Sequence, residues 1–304
     1  MPQVLIGGGT GLIGQRLSQL LHDAGYQVRH LSRSANPNAK FPAFQWNPME
    51  GSMDVTALDG VDFIINLAGA GIADEPWTKE RKQLIIDSRV KSNALLFNQL
   101  KASGKKVKAF LAASAIGYYG DRGSDLLTET SDPGSSGFLA ASCIAWEKAF
   151  EPIASVSDRH LIIRIGIVLS TKGGALEKML IPFRFGMGNY FGDGQQYTSW
   201  IHIDDLCRLF IEGIKNQNMN GTYNGTAPEP VTSKGMAQAI KEAKNSIVPI
   251  VPVPAFALRI GLGERVEMLT GSARVIPERA LESGFEYQYD DLVGALKDLL
   301  DRKI

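Results

Sequence analysis

Near the start of the chain, Gly8, Gly11 and Gly14 recur at every third position, with Thr10, Leu12 and Ile13 between them. They follow the short apolar run Val4-Leu5-Ile6, which fits a strand buried on both faces. An amphipathic run with Leu17, Leu20 and Leu21 on one side comes next and stops at Gly25, the pattern of a helix with a glycine C-cap. Strand, tight turn and helix N-terminus together leave free backbone N–H groups and the positive end of a helix dipole at one point, which makes an anion site. In this context the spacing predicts a dinucleotide cradle. One glycine makes the turn, one lets the backbone approach a pyrophosphate, and one lets helix and strand pack closely. Gly8, Thr10, Gly11, Leu12, Ile13 and Gly14 are the expected contacts.

The choice of nucleotide falls at the end of the next strand, expected over 27–33. An NAD site places a carboxylate there, about 20 residues past the loop, to take the ribose hydroxyls. No Asp or Glu occurs between Gln27 and Lys40; Ser32, Arg33 and Ser34 stand in its place. A guanidinium suits the 2′-phosphate of NADP. The expected cofactor is therefore NADP(H), with Ser32, Arg33 and Ser34 at its 2′-phosphate.

The elements that must position these groups follow in a regular rhythm. A short strand is expected at 44–46, a buried strand at 61–67, a helix from about 78 to 102 ending before Gly104, and a strand at 107–113. A helix over 138–154 and a strand over 161–169 complete the series. This alternation predicts an α/β protein with a doubly wound parallel-sheet Rossmann domain, spanning 1–172. From about Gly173 the rhythm changes. Asp204 reads as the N-cap of a helix carrying Leu206, Leu209, Phe210 and Ile214, Thr222-Tyr223-Asn224 as a short strand, and 234–243 as a helix. The proline-spaced run Pro249–Pro254 precedes a mostly helical tail. Residues 173–304 are expected to form mainly a smaller C-terminal α+β substrate domain, with 195–226 completing the first domain and no flexible joint between them.

The 304 residues suit one large or two closely joined domains. Lys+Arg and Asp+Glu are both 32, so charge gives no reason to expect nucleic acid or an anionic membrane as partner. The two cysteines, Cys143 and Cys207, fit buried apolar positions in a reducing compartment. No apolar run approaches the roughly 20 residues of a membrane span, and the first apolar run lacks a basic leader. A cytoplasmic protein is the expectation. His202 and Asp204 lack a third spaced ligand, so no metal site is expected.

At this point the residues resemble a family. Gly8-x-x-Gly11-x-x-Gly14, the strand end Asn66-Leu67-Ala68-Gly69, the loop Ser114…Tyr119-Gly120, and the runs Arg164–Leu169 and Trp200–Asp205 are similar to those of extended short-chain dehydrogenase/reductases. More narrowly, Ile86-Asp87-Ser88-Arg89-Val90, Ser114–Gly120, Phe138-Leu139-Ala140 and Trp146-Glu147 resemble an atypical subgroup labelled "epimerase family protein" or nucleoside-diphosphate-sugar epimerase. The tail, with Ser272–Pro277 and Ala280–Phe285, is similar to that subgroup's C-terminal module of unknown function. The resemblance covers the whole chain. It implies cofactor contacts at Leu67, Ala68, Gly69 and Ser114, and a small-molecule substrate, sugar-like or nucleotide-linked. A monomer or a homodimer is compatible with it.

One departure matters. Ordinary members place a Tyr and a Lys four residues apart on the helix after the serine-bearing strand, where Lys lowers the Tyr pKa for proton transfer. Aligned on Glu147, those places hold Leu139 and Cys143. Ser114 remains to orient a substrate oxygen. Tyr118 and Tyr119 are nearby phenols, either replacement acids or packing aromatics. Arg89 could supply the missing cation or be structural. Two readings stay open: an NADP(H)-dependent oxidoreductase or epimerase, with Ser114, Tyr118 and Tyr119 as the catalytic candidates, and an NADP(H)-sensing binding protein. Promiscuous carbonyl reduction with water as proton source is a third.

Overall fold

The computed structural model describes residues 1–302. In its first half run β1 Gln3–Gly7, α1 Leu12–Asp23, β2 Gln27–Ser32, β3 Ala43–Asn47, β4 Ser52–Met53, β5 Phe63–Asn66, α2 Lys79–Ser103, β6 Val107–Ala115, β7 Leu126–Leu127, α3 Phe138–Lys148, β8 Ser157–Ile165 and β9 Ile167–Leu169. The second half takes shorter steps: α4 Ala175–Arg184, β10 Gly188–Phe191, β11 Tyr197–Thr198, β12 Trp200–His202, α5 Ile203–Lys215, β13 Gly221–Gly225, β14 Val231–Thr232 and α6 Ser233–Ala243. It ends with β15 Ile250–Val253, α7 Ala255–Leu262, α8 Glu267–Thr270, β16 Arg274–Val275, α9 Glu278–Glu282 and α10 Leu292–Asp301.

Eight strands form one sheet in the order β13-β8-β6-β5-β1-β2-β3-β4. Every pairing in it is parallel except β3 with β4. The chain builds outward from β1 through β2 and β3, then returns to the other side of β1 with β5. That reversal opens a crevice at the carboxyl ends of β1 and β5, where open α/β sheets bind ligands. The doubly wound α/β expectation is borne out.

Alternation along the strands explains the layering. Val4 and Ile6 of β1 join a core on one face of the sheet with Leu17 and Leu21 of α1, while Leu5 joins the opposite core with Leu96 and Phe110. Each such side chain contributes about 1.5–3 kcal/mol when fully buried. The first core continues through Leu206 and Phe210 of α5 to Ile240 of α6 and Leu296 of α10. It does not stop at residue 172. The second half also pairs back onto the first: β13 lies beside β8, and β16 beside β7.

Three sequence expectations are corrected. The strand expected over 161–169 is two strands: β8 runs in the large sheet from Ser157, and β9 pairs with β12. The break is Gly166, where a Cβ would stand 2.6 Å from the Ser199 carbonyl oxygen. The helix expected to reach 154 ends at Lys148 and continues as a 3-10 turn over Glu151–Ser155, with Pro152 in its first turn. Asp204 is not the N-cap of α5. His202 caps it, its ring Nδ1 accepting from the Asp204 N–H at 3.1 Å. Asp204 instead pairs with Arg16 and Arg302, at 2.6 and 2.7 Å. Among the described residues no helix is long and apolar enough to cross a membrane.

Candidate functional site

The glycine turn is built by crowding. Gly8 has φ +78°, and a Cβ there would lie 2.9 Å from the Leu67 carbonyl; a Cβ on Gly14 would lie 2.3 Å from the Gly8 oxygen. Gly11 closes the turn by donating its N–H to the Gly8 carbonyl at 3.1 Å. It is also the N-cap of α1 and brings no capping side chain, so the helix N-terminus offers backbone donors to a ligand. Thr10 and Gly11 are exposed, Leu12 and Ile13 half-buried, and Gly14 packs inside.

Two supports of this cradle were not read from the sequence. His30 on β2 fills the space behind Gly9, where a Cβ would sit 2.3 Å from the ring, and its Nε2 meets the Ser18 hydroxyl at 2.7 Å. Burial lowers the His30 pKa, which favours the neutral ring. Asn66 at the end of β5 accepts from the Ala68 N–H at 3.2 Å and donates to Ser92 and Asn93, at 3.0 and 2.6 Å. That clamp fixes Leu67, Ala68 and Gly69 opposite the glycine turn. Asn66 belonged to the resemblance motif, but its partners on α2 left no local signal.

Strand β2 stops at Ser32, which leaves Arg33 and Ser34 exposed beyond the sheet edge. Among the described residues no carboxylate pairs with Arg33. This is the chemistry expected of a 2′-phosphate contact: a free guanidinium with no acid beside it.

At the carboxyl end of β6, Ser114 is buried and donates its hydroxyl proton to Glu147 at 2.7 Å. Glu147 on α3 faces Arg164 of β8 in a fork, Nε to Oε1 and Nη2 to Oε2, both at 2.9 Å. The third guanidinium nitrogen, Nη1, donates to the Tyr119 hydroxyl at 2.9 Å, and Tyr119 donates to Asn224 of β13 at 2.7 Å. Burial works against the charge on Arg164, but its hydrogen bonds to Glu147 outweigh that and raise its pKa. Burial pushes the Tyr119 phenol up to about 12, against the pull of Arg164. Tyr118 lies flat against the same guanidinium, whose carbon is 3.4 Å from its ring centre. The five-residue network ties β6, α3, β8 and β13 together.

Beside this network is a cavity of about 460 Å³. It is lined by Ala115, Ile116 and Gly117 just past Ser114, by Leu139 and Cys143 of α3, and by Arg89 of α2. Ser114, Tyr118 and Tyr119 are not among its lining residues. Leu139 and Cys143 thus occupy the cavity face where Tyr and Lys were missed in the sequence. Burial pushes the Cys143 thiol up to about 11, so it is a neutral, apolar group at neutral pH. No metal-ligand cluster occurs among the described residues.

Cradle, acid-free strand end and adjoining cavity define a dinucleotide-binding α/β protein with a compartment large enough for a small molecule. The chain belongs to the NAD dependent epimerase/dehydratase family, whose model matches residues 4–224. A domain of unknown function, DUF1731, matches residues 253–299, in keeping with the C-terminal resemblance. The chain is 35% identical to the epimerase family protein YfhF of Bacillus subtilis over 299 residues, covering 97% of each. It is 30% identical to the human epimerase family protein SDR39U1 (isoform 2), crystallised with NADPH, with a TM-score of 0.90, covering 99% of this chain and 100% of that one. The UDP-N-acetylglucosamine 4-epimerase of Bacillus cereus shares the fold, at 16% identity and a TM-score of 0.78, over 98% of each chain.

Proposed function

We propose that the chain is an NADP(H)-dependent oxidoreductase whose substrate presents a carbonyl or hydroxyl group in the cavity. The observation that carries this reading is the junction at Gly69: the glycine cradle lies on one side, and Arg89, on the cavity wall, packs against it on the other, its guanidinium carbon 3.1 Å from where a Cβ on Gly69 would stand. In this reading Gly8, Thr10, Gly11, Leu12, Ile13 and Gly14 hold the pyrophosphate, and Ser32, Arg33 and Ser34 hold the 2′-phosphate. Leu67, Ala68, Gly69 and the segment after Ser114 flank the nicotinamide end. Bound NADP(H) supplies or accepts hydride there. The human relative crystallised with NADPH supports the choice of cofactor.

The chain's own residues orient the substrate and exclude water. Ser114 and Tyr119 act as positioning residues, because their protons are already given to Glu147 and Asn224. Tyr118 braces the same wall. Ser114→Ala is then expected to weaken turnover through the geometry of Ala115–Gly117.

Titration of the purified protein with NADPH and NADH tests the reading. NADPH should bind more tightly, and Arg33→Ala should weaken NADPH about tenfold while leaving NADH unchanged, one exposed charged hydrogen bond's worth. Equal or tighter NADH binding refutes it. A second reading, an NADP(H) sensor without turnover, is favoured by the apolar pair Leu139 and Cys143 at the proton-transfer position. Oxidation of bound NADPH by aldehydes, ketones or keto-sugars, nucleotide-linked ones included, supports the enzyme; inert NADPH across that panel supports the sensor.

A further inference from the structure

The walls of the cavity constrain what it can hold. Phe183 of α4, Phe191 of β10, Met236 of α6, and Met268 and Leu269 of α8 face Leu139 and Cys143 across it. Three charged residues also line it: Arg89, Asp121 and Glu267. Both carboxylates are engaged with backbone donors. Asp121 accepts from the N–H groups of Gly123 and Ser272, at 3.2 and 3.3 Å. Glu267 accepts from those of Phe138 and Leu139, both at 3.3 Å, and so caps the start of α3 from another element. A nucleoside diphosphate would bring two further negative charges to a wall with one cation and two carboxylates. Arg–phosphate forks are the usual means of holding such a group, and only a single guanidinium is available here.

Half-buried Arg89 is placed differently from buried Arg164. Arg164 is matched by Glu147, but no carboxylate pairs with Arg89 among the described residues. Its Nη1 donates to the carbonyls of Ala70 and Ile85, at 3.1 and 2.9 Å, and its guanidinium carbon lies 4.8 Å from the Trp146 ring centre. Nε and Nη2 have no protein acceptor among the described residues. Burial lowers its pKa, as expected of a cation without a counter-ion. Such a group keeps donors for a ligand oxygen at the point where the cavity meets Gly69.

We propose that the cavity takes an apolar carbonyl compound, a ketone or aldehyde on a hydrocarbon chain or ring, and that Arg89 donates a hydrogen bond to its oxygen. This rests on the reading of the cavity as the compartment served by the cofactor, and it replaces the nucleotide-linked substrate expected from sequence resemblance. Asn189, Tyr197, Thr198 and Ser233 also line the cavity, but most of its wall is apolar and supplies the binding energy, while Arg89 fixes the carbonyl end.

The test uses the full chain loaded with NADP⁺, which has no hydride to give, so that binding is read without turnover. Calorimetric titrations with 2-decanone and with UDP-N-acetylglucosamine are compared, and both are repeated without nucleotide. The expected result is 2-decanone bound at least about tenfold more tightly than the nucleotide sugar. Arg89→Met should weaken 2-decanone about tenfold, the loss of one charged hydrogen bond, with NADP⁺ affinity kept. Leu269→Asp should abolish 2-decanone binding and also keep NADP⁺, which reports a folded cradle. Tighter binding of UDP-N-acetylglucosamine overturns the proposal. So does an Arg89→Met protein that holds 2-decanone normally but loses NADP⁺, since Arg89 would then serve the cofactor. Failure to bind NADP⁺ at all refutes the cofactor reading alone, because the nucleotide-free titrations still decide the ligand class.

Discussion

Arg164→Met removes one partner from the most enclosed ion pair among the described residues, and its cost follows from the geometry. The side chains of Arg164 and Glu147 are 5% and 12% exposed, and two bonds of 2.9 Å join them. Methionine leaves Glu147 as a buried carboxylate with only the Ser114 hydroxyl for a partner, and leaves Tyr119 with Asn224 alone. Breaking a buried pair from one side costs about 3–5 kcal/mol, a large part of the roughly 5–15 kcal/mol that holds a domain folded. Urea denaturation at pH 7 should show that loss as a lower midpoint with an unchanged slope. Replacing Glu147 as well, by Met, should recover part of the loss. A deficit under about 1 kcal/mol, the value of a surface pair, would refute this account of the network.

Gly14→Ala should abolish nucleotide binding while far-ultraviolet circular dichroism stays native, because its Cβ would collide with the Gly8 carbonyl at 2.3 Å and open the turn; retained affinity would mean that the turn yields cheaply. Asp204 is held at about 2, burial opposing and Arg16 and Arg302 overcoming it. Its folded pKa is depressed, so the stability it gives is complete above the unfolded value near 3.9 and is lost as pH falls toward 2. Solvent screening of the two partly exposed arginines brings this to on the order of 1–2 kcal/mol, and Asp204→Asn should abolish that part of the acid-unfolding slope. Cys143, with its thiol pushed up to about 11, should resist iodoacetamide at pH 8 in the folded protein and react after denaturation, as mass spectrometry of the labelled peptide would show.

How much of this was legible in the sequence depended on distance along the chain. The cradle was legible because all its parts lie within 14 residues and each glycine has a local reason. The positions of the β5 strand end and of the end of β2 were legible for the same cause. Local periodicity also misled. The run 161–169 is apolar throughout, and nothing in it marks Gly166 as the residue that lets the Ser199 backbone approach. Asp204 has the ordinary look of an N-cap, yet Arg16 and Arg302, far away in sequence, take its carboxylate. From its place beside Ser114, Tyr119 could be read either as a replacement acid or as a packing aromatic. Its partner Asn224 lies 105 residues away and could not be seen from the motif.

The same contrast bears on how this site relates to ordinary relatives. The change at Leu139 and Cys143 is confined to the cavity face of α3, while Ser114, Glu147 and Arg164 remain joined behind it. A protein that had merely lost catalysis would have no physical need for a mostly apolar cavity next to its nucleotide cradle. Here Gly117 packs tightly on that altered face, where a Cβ would come within 3.2 Å of Leu139 and 3.6 Å of the Cys143 sulfur. Glu267 in the C-terminal module anchors the start of the same helix. Restoring Tyr at 139 and Lys at 143 would therefore place a phenol against Gly117 and a buried cation near Arg89. The expected outcome is a destabilised protein without ordinary epimerase activity, checked by thermal melting and by turnover of UDP-N-acetylglucosamine. A stable, active double variant would show that the apolar face is an incidental loss and not part of a remodelled compartment.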